Sequence, residues 1–514
     1  MPTYSGSTSS VPGVYVNEAA FTNNVARANT SQSVAAFLGT APRGPVEATL
    51  INSWSGFKSL YGDISIDHEL GYSVYHYFAN GGRDAYITRV VSVNEENPAV
   101  AASGTVKYYP TGQNNASASL FTVDAISVGD WGNNLSLSVS SGTTAASTTQ
   151  IPSFHLTISL NGTEVERWND VSTDPASNRY IDTVVNTYSK FIRVTTDSSA
   201  KTASNTWSFF TDATSLTGGD DGAEIADADY VSALDKYDIV EGVLIINAPG
   251  RTSATVVTGL LTYAENRGNS FVVIDPTNET DATQIGTAIV STYPQSSYGA
   301  VYYPMLKMAD PTKTGPAAIR DTYPGGAVMG AYIRTEVART VAKAPAGYNV
   351  DIRNAYGLTG NFTEAQAATL YNDYGVNLFK AVPGGGIIIN GTRTLDKATP
   401  GKFIPIRRSM NYLKQALKDT TSFAVFEPND ERLWTTINMR VGSLLGEFWR
   451  AGGLKGRNSA EAFYIVCDET NNTNETIAQG EVRLEVGVAL QYPAEFIVIN
   501  ISQWTGGANS VANL

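Results

Sequence analysis

The amino-acid sequence predicts a multi-domain α/β protein that carries a β-rich insertion. Its 514 residues correspond to about three domains at roughly 150 residues each. Between residues 223 and 344, apolar runs typical of strands alternate with helical patterns, as in three-layer domains with a largely parallel sheet. From about residue 94 to 222, Ser, Thr, Asn and Gly instead punctuate short strands of alternating polarity. We therefore expect an α/β middle domain at 223–344 and an exposed β-rich outer insertion at 94–222.

The two ends of the chain share a compact α/β texture. Residues 33–93 predict a buried strand from Ser33 to Leu38, helices at Ser53–Tyr61 and Leu70–Ala79, and a strand from Ala85 to Val91. Residues 345–514 resume this pattern. One predicted helix there has an apolar stripe beside four basic residues, namely Arg407, Arg408, Lys414 and Lys418. Such a row of charges is usually a solvated helix face.

Residues 421–456 contain the clearest local signals. We expect a short buried strand from Ser422 to Phe426 and, after Pro428, a helix that begins near residue 430 with Asn429 or Asp430 as its N-cap. Apolar residues then recur at three- and four-residue steps, which predicts one buried face: Leu433, Trp434, Ile437, Val441, Leu444, Leu445, Phe448 and Trp449. Gly452 and Gly453 are expected to end the helix.

Apolar strands are predicted close to both ends of the chain. Val11–Glu18 is extended and is separated from residue 33 by a polar run, and residues 1–32 are therefore interpreted as an arm and its tether. Near the other end, Val482–Leu490 alternates in polarity and Phe496–Ile501 is almost entirely apolar. A tethered apolar strand needs a sheet edge to pair with. Taken alone, the sequence favours an edge in the same subunit and one in a neighbouring subunit equally.

Composition argues against several classes of protein. A formal charge of −13 disfavours binding to nucleic acid, which requires clustered Lys and Arg. Neither a secretion signal nor an apolar run of about 18 residues is found, so we expect assembly in the cytoplasm and no membrane insertion. The single cysteine, Cys467, lies after an apolar run and is expected to be a buried structural thiol.

Little in the sequence points to catalysis. The three histidines, His68, His76 and His155, have none of the spacings that place two metal ligands on one face. Residues 383–386, Pro-Gly-Gly-Gly, lead into a strand and lack the Lys-Ser/Thr of a phosphate loop, so we expect a turn. Asn247 and Asp275 follow predicted strands, where open α/β sheets bind ligands. We predict no enzyme activity, no cofactor and no metal, with a hydrolase or ligand-binding protein built on residues 223–344 as the alternative.

Long segments at both ends resemble the tail sheath proteins of contractile phage tails and related contractile injection systems. The N-terminal similarity covers about residues 11–93 and the C-terminal similarity about 330–504, whereas the middle of the chain is a variable insertion in that family. The segments that carry the resemblance are VPGVYVNE (11–18), VAAFLGTAPRGPVEATLINSWSGFKSLYG (34–62), GYSVYHYFANGGRDAYITRV (71–90), GAYIRTEVARTVAKAPAG (330–347), FAVFEPNDERLWTTINMRVGSLLGEFWRAGGLKG (423–456), AFYIVCDETNNT (462–473) and GEVRLEVGVALQYPAEFIVINIS (480–502).

The resemblance implies an inner α/β core made from both chain ends, with the two middle modules inserted outward. It also implies that N- and C-terminal arms add strands to the sheets of neighbouring subunits. The residues implied to pair between subunits are Val14, Tyr15 and Val16 in one arm and Phe496, Val498, Ile499 and Ile501 in the other.

A subunit of a contractile sheath is the function that the resemblance implies. Such subunits form stacked hexameric rings around an inner tube, and their contraction drives the tube through a target envelope, as in phage genome ejection. The implied partners are other copies of the chain, the inner tube protein, and the baseplate and tail terminator proteins. The implied location is a virion tail or an injection particle. Arg407, Arg408, Lys414 and Lys418 become candidates for a basic face that meets an acidic tube.

Overall fold

The structure is a computed structural model of the chain. It describes residues 33–110, 118–145, 147, 149–201, 207–208, 214–277, 282–315, 318–384, 386–398 and 401–495. Within these ranges, no helix is both long and apolar enough to cross a membrane.

The first stretch has the order strand, strand, helix, helix, strand. Its elements are β1 (Val34–Gly39), β2 (Thr49–Ile51), α1 (Trp54–Tyr61), α2 (Glu69–Ala79) and β3 (Ala85–Arg89). The side chain of Ser53 accepts a hydrogen bond from the Gly56 N–H at 3.1 Å and caps α1, as the sequence predicted.

A β sandwich follows, which we define as residues 100–220. Its elements are β4 (Ser103–Pro110), β5 (Ala118–Ala125), β6 (Leu135–Ser141), β7 (Ser153–Leu160), β8 (Thr163–Ser172), α3 (Ile181–Tyr188), β9 (Ile192–Thr196), β10 (Trp207–Ser208) and β11 (Thr214–Ser215). Two antiparallel four-stranded sheets, in the orders β10-β4-β5-β9 and β11-β6-β7-β8, enclose one apolar cluster. Within it, the rings of Phe121 and Phe154 stack with centroids 5.8 Å apart. Strands are thus the main elements of this stretch, as expected.

The β sandwich joins the rest of the chain through a neck, residues 97–100 and 220–223. Val100 N donates to Asp220 O at 2.8 Å, and Ala223 N donates to Asn97 O at 3.0 Å. Beside the neck lies Arg89, the last residue of β3, whose side chain is 5% exposed. Its Nε donates to Ala41 O at 3.0 Å and its Nη1 to Val128 O at 2.7 Å. One buried guanidinium therefore ties the sandwich to the end of β3.

Strands and helices alternate after the sandwich, as predicted. The elements are α4 (Asp227–Ser232), β12 (Leu244–Asn247), α5 (Ala254–Arg267), β13 (Ser270–Ile274), α6 (Ala282–Thr292), β14 (Gly299–Tyr303), β15 (Leu306–Ala309), β16 (Ile319–Thr322) and α7 (Gly325–Ala338).

The last described stretch contains the longest helices. Its elements are β17 (Ala355–Leu358), α8 (Glu364–Asn372), β18 (Asn377–Val382), β19 (Gly386–Asn390), α9 (Ile404–Thr421), α10 (Glu431–Arg450), α11 (Ser459–Ala462), β20 (Phe463–Val466), α12 (Asn474–Ala478) and β21 (Glu485–Val488). Residues 383 and 384 lie in the turn between the antiparallel strands β18 and β19, which confirms that this glycine-rich segment leads from strand to strand.

One eight-stranded sheet organises most of the molecule, with the order β19-β18-β14-β13-β12-β1-β3-β2. The six strands from β18 to β3 are parallel, and β19 and β2 are antiparallel to the neighbours at the two edges. From β1 the chain moves outward to β3, and from β12 it moves outward in the opposite direction to β13, β14 and β18. The strand order therefore reverses between β1 and β12, which is the topological switch point of a doubly wound sheet.

Alternate residues of each central strand are buried on opposite faces of this sheet. In β1, Phe37 packs in a cluster with residues of α1, α2 and α7. Its neighbours Ala36 and Leu38 pack in a second cluster with residues of α4, α5, α6 and α8. The result is a three-layer arrangement in which β12, β13 and β14 are buried along their whole length.

The sheet corrects the predicted division between core and middle domain. The ranges 33–93 and 223–344 were expected to be separate modules, yet Val34 pairs with Leu244 and Ala35 with Ile245 in one parallel ladder. Residues of β18 extend the same sheet from its far side. Because strand partners depend on long-range pairing, the local patterns indicated these strands without indicating that they share a sheet. The mixed α/β class itself is confirmed.

We predict that Arg89→Met loosens the β sandwich. The substitution keeps most of the apolar stem but leaves the carbonyls of Ala41 and Val128 without their charged donor, which we expect to cost about 2 to 4 kcal/mol. Urea unfolding measures the loss, and limited proteolysis should show faster cleavage in the exposed segment 93–97. Arg83→Met, at an exposed position, is the control and should leave both measurements unchanged. Equal stability of the two variants would contradict the role of Arg89.

Candidate functional site

Helix α10 is the helix on which the C-terminal strands pack. Its two ends are determined by an N-cap side chain and a glycine. Asp430 Oδ1 accepts hydrogen bonds from the backbone N–H groups of Arg432 and Leu433, both at 3.0 Å, which confirms the predicted N-cap. The helix ends before Gly452, which has a φ of 77°. The predicted stripe is buried at Leu433, Trp434, Ile437, Val441, Leu445 and Phe448.

The expected strand before α10 is wrong. Helix α9 continues to Thr421, and Ser422–Ala424 forms a single 3₁₀ turn. Phe426 is 88% exposed and has a φ of 70°. The apolar run SFAVF suggested a buried strand, but these residues make the surface connection between two long helices.

A two-stranded antiparallel sheet, which we call the C-terminal ribbon, lies on α10. It consists of β20 and β21, with Phe463 opposite Val488 and Ile465 opposite Val486. These four side chains pack in the cluster that contains the α10 stripe. Within the described ranges, β20 pairs with no strand other than β21. One face of the ribbon is therefore fixed to a long helix, while no strand from the described residues occupies the outer edge of β20.

The second face of the ribbon is formed around Tyr464. Its hydroxyl donates to Glu485 Oε1 at 2.7 Å. Its ring covers Gly487 closely enough that a Cβ there would lie 1.9 Å from a ring carbon. A side chain at residue 487 would displace the aromatic ring, so glycine keeps this face flat.

The connection between the two ribbon strands is held by Asn472. Its Nδ2 donates to Asp468 O at 3.1 Å and to Arg483 O at 3.0 Å, and its Oδ1 accepts from Arg483 N at 2.6 Å. Nearby, the buried Cys467 confirms the predicted structural thiol, and burial raises the pKa of its thiol to about 11. The ribbon edge is thus positioned by a well-bonded loop as well as by α10.

Two of the four predicted tube-facing residues do not lie on the surface. The Arg408 side chain is 3% exposed, and its Nη2 donates to Glu336 Oε2 at 2.6 Å. Arg407 is 5% exposed, and its guanidinium lies 4.2 Å from the ring centroid of Tyr298. The apolar stripe of α9 is wider than the sequence pattern indicated, because this helix packs against the main sheet on one side and α10 on the other. Arg407 and Arg408 are consequently interior side chains of the subunit.

The two lysines of the same group are more accessible. Lys418 is exposed in the last turn of α9, where a cation is favoured by the helix dipole. Lys414 is half-buried, with its Nζ 3.3 Å from the Tyr298 hydroxyl. The expected basic face is therefore reduced to these two side chains within one subunit.

The seven residues predicted to pair between subunits lie outside the described residues: Val14, Tyr15, Val16, Phe496, Val498, Ile499 and Ile501. The described chain begins at Ser33 and ends at Glu495. Both of these residues are hydrogen-bonded to the body of the subunit through their own atoms.

Near the switch point of the main sheet, Asn247 and Asp275, the two polar residues predicted to follow strands, are in contact. Asn247 Nδ2 donates to Asp275 Oδ2 at 3.2 Å, Gly250 N donates to the same oxygen at 3.2 Å, and Gly325 N donates to Oδ1 at 2.7 Å. Gly325 is the first residue of α7, and a Cβ on it would lie 2.5 Å from Asn247 Nδ2. The carboxylate thus binds the N-terminus of the chain's own helix.

The space beside this carboxylate is small. A cavity of about 40 Å³ borders Asp275, Thr252 and Tyr293, well below the volume of roughly 300 Å³ or more that small-molecule sites usually offer. Burial raises the pKa of Asp275 to about 6, although its three hydrogen bonds oppose the shift. Elsewhere in the described chain, no group of three or more His, Cys, Asp or Glu side chains is placed to hold a metal ion.

The sequence of the chain is similar to known proteins. Residues 396–503 match the family model described as the phage tail sheath C-terminal domain. The tail sheath protein of Vibrio phage KVP40 is 27% identical over 264 residues, which span 50% of this chain and 35% of that protein. The chain thus spans about a third of the length of this relative.

Solved structures show the same fold along nearly the whole chain. The sheath complex of an extracellular contractile injection system in the contracted state, PVC, has a TM-score of 0.59 and 19% identity, with 97% of this chain and 99% of that chain covered. The sheath tail protein Lin1278 from Listeria innocua has a TM-score of 0.58 and 13% identity, with 86% and 90% covered. The chain is thus similar to phage tail sheath proteins in sequence and to solved sheath proteins in fold, in line with the resemblance of its two ends.

The buried Asp275 predicts a specific pH dependence of stability. Because its pKa is higher in the folded than in the unfolded chain, its favourable contribution is complete below about pH 4 and is lost as the pH rises through 6. The difference in free energy of unfolding between wild type and Asp275→Asn should change by on the order of 2 to 3 kcal/mol over this window. Urea unfolding at a series of pH values measures it. A difference that stays constant across the pH series would argue against the buried ionisation.

Proposed function

We propose that the chain is a structural subunit of a contractile sheath, which polymerises around an inner tube and shortens to drive that tube through a target envelope. The observation that carries the proposal is the fold match to a contracted sheath complex across 97% of this chain. The tail sheath C-terminal match at residues 396–503 supports it independently from sequence.

The C-terminal ribbon is the proposed acceptor for the arms of neighbouring subunits. An open edge of β20 offers backbone N–H and C=O groups that an extended segment satisfies by strand addition. The donors are the apolar segment around Val14, Tyr15 and Val16 and the segment with Phe496, Val498, Ile499 and Ile501. A ribbon fixed on α10 suits this task because the added strand then joins a rigid body rather than a loop.

In the proposed mechanism, contraction exchanges one set of contacts between rigid subunits for another set. The strand-paired arms keep neighbours connected, while the polar tether at 19–32 accommodates the rotation of the bodies. The free energy comes from the difference between two sets of contacts, multiplied over many subunits, so no nucleotide is consumed.

The proposed assembly consists of stacked hexameric rings of this chain in a virion tail or an injection particle assembled in the bacterial cytoplasm. The same fold occurs in the baseplate of the anti-feeding prophage, with a TM-score of 0.58 at 19% identity over 97% of this chain, which supports an association with baseplate proteins. A terminator at the other end of the stack completes the proposed partners.

The inner tube is the proposed partner of the accessible lysines. With Arg407 and Arg408 inside the subunit, Lys418 and Lys414 remain as candidates to meet an acidic tube surface. An exposed contact of this kind is weak, which suits an interface that must break during contraction.

Proline substitutions test the strand-adding N-terminal arm. Val14→Pro combined with Val16→Pro removes two backbone donors on the same edge of the extended segment. The purified variant should show the circular dichroism and melting temperature of the wild type but form no long cylinders in negative-stain electron microscopy, as should a chain without residues 1–18.

The matched control is Ser7→Pro with Ser9→Pro, which lies in the same arm outside the apolar segment and should polymerise normally. Normal cylinders from the Val14/Val16 variant would refute strand addition by this arm. Wild-type protein that stays monomeric under polymerising conditions, or that turns over a substrate, would refute the sheath proposal as a whole.

Charge reversal tests the contact with the tube. Lys418→Glu should weaken cosedimentation with purified inner tubes by about two- to fivefold at low salt, because an exposed ion pair contributes less than about 1 kcal/mol, and it should flatten the salt dependence. Lys190→Glu, on the β sandwich and also exposed, should bind as the wild type does. Unchanged affinity and salt dependence in Lys418→Glu would remove Lys418 from the interface.

A further inference from the structure

Both ends of the described chain are attached to Arg–Glu pairs, of which Arg408–Glu336 is buried and Arg393–Glu495 is about 10% exposed. The first described residue, Ser33, contacts the pair formed by Arg408 and Glu336. The last described residue, Glu495, is itself a member of the pair with Arg393. In the sequence, these two residues adjoin the segments proposed as arms, which precede Ser33 and follow Glu495.

At the N-terminal root, three groups are bonded in a closed set. Ser33 N donates to Glu336 Oε1 at 2.8 Å, while Arg408 Nη2 donates to Glu336 Oε2 at 2.6 Å and to Ser33 Oγ at 3.2 Å. The Arg408 guanidinium also lies 4.6 Å from the ring centroid of Tyr332. Since the side chains of Arg408 and Glu336 are only 3% and 7% exposed, water competes little for these bonds.

The C-terminal root is bonded more extensively. Arg393 grips the Glu495 carboxylate with two donors, Nη2 to Oε2 at 2.6 Å and Nε to Oε1 at 3.1 Å. Thr392 Oγ1 donates to Oε1 at 2.7 Å, and the hydroxyl of Tyr371 donates to the same oxygen. Burial acts to raise the pKa of Glu495, but these donors and the Arg393 charge hold that pKa below its usual range.

The two roots converge on one helix. Arg408 belongs to α9, and the N-cap residue of α9, Phe403, forms a backbone bridge with Arg393. Thr392 O accepts a hydrogen bond from Ile404 N, the first residue of α9, at 2.8 Å. Helix α9 is in turn bonded to the main sheet, with Asn411 Nδ2 donating to Ser270 O at 2.6 Å.

We propose that the Arg408–Glu336 and Arg393–Glu495 pairs anchor the roots of the two arms and pass tension from either arm into α9 and the main sheet. This inference rests on the proposed function, in which neighbouring subunits pull on these arms during contraction. A buried ion pair adds little to net stability when compared with an apolar pair of the same volume. Here the ion pair supplies several short, directional hydrogen bonds close to the residue through which an arm transmits force. Because these bonds share the same groups, they must break together.

The test is to pull single wild-type and variant chains by their two termini with optical tweezers. Glu495→Gln replaces the carboxylate by an isosteric amide, which loses the bidentate grip of Arg393. The first rupture should become about tenfold or more faster at a fixed force, because the loss of one charge-assisted hydrogen bond is sufficient for this change. If residues 485–495 come free in that event, the contour length increases by about 35 Å. Glu336→Gln should likewise accelerate the first rupture from the N-terminal side.

The matched control is Glu69→Gln. Glu69 also accepts two hydrogen bonds from an arginine, Arg320, with Nη1 to Oε2 at 2.8 Å, but it lies in α2 away from both roots. It should leave the first rupture unchanged. Thr392→Val removes a single hydroxyl and provides a milder variant should Glu495→Gln fail to fold, with an intermediate acceleration expected. An unchanged rupture rate in either root variant overturns the assignment for that root, and equal acceleration in Glu69→Gln overturns the proposal.

The outcome remains separable from the proposed function. If the wild type forms cylinders while the root variants rupture as the wild type does, only the anchoring inference fails. If the wild type forms no cylinders, the sheath proposal fails, whereas the pulling experiment on the single chain still decides whether the two pairs hold the chain ends.

Discussion

The parallel pairing of β1 with β12 is the contact on which the rest of the structure depends. It joins Val34 to Leu244, residues separated by the whole β sandwich, and it places both strands at the centre of the eight-stranded sheet. Because each parallel strand needs a crossover, helices must cover both faces, and the chain must leave the sheet between β3 and β12. The β sandwich is the part of the chain that lies between these two strands. The ligand crevice that such a sheet usually leaves at its switch point is taken by the N-terminus of α7, held by Asp275.

Charge burial connects this sheet to the C-terminal region. Two arginines of α9 point into the subunit and not into solvent. Arg408 forms an ion pair with Glu336, and the Arg407 guanidinium lies over the ring of Tyr298. The same helix stacks on α10 through the rings of Tyr412 and Phe448, 5.7 Å apart, and α10 carries the ribbon. Sheet, α9, α10 and ribbon thus form a continuous series of packed elements. This series connects the proposed strand-acceptor edge of the ribbon with the main sheet.

Local signals predicted local structure well and long-range structure poorly. The cap at Asp430, the stripe along α10 and the turn at Gly452 depend on neighbouring residues, and all three were correct. The run from Ser422 to Phe426 has the composition of a strand, but a strand requires a partner, and no strand in the described part of the chain pairs with it. The depth of Arg407 and Arg408 likewise depends on what covers α9. Glu336 and Glu495 were missed entirely. Glu495 is a lone acid in an apolar stretch, which is a usable signal for an inward-facing pair, whereas Glu336 lies between Arg334 and Arg339 and has no such signal.

The neck has a consequence for how the β sandwich can vary. The chain enters and leaves the sandwich through residues that are hydrogen-bonded to each other, Val100 to Asp220 and Ala223 to Asn97. A module whose two ends meet in this way places little geometric demand on the sheet that hosts it. The strands far from the neck can be enlarged or exchanged without shifting the register of β3 or β12, provided that the segment with Val128, which Arg89 binds, is kept. Evolution, and equally a protein engineer, can therefore alter the outer strands of the β sandwich while the main sheet stays the same.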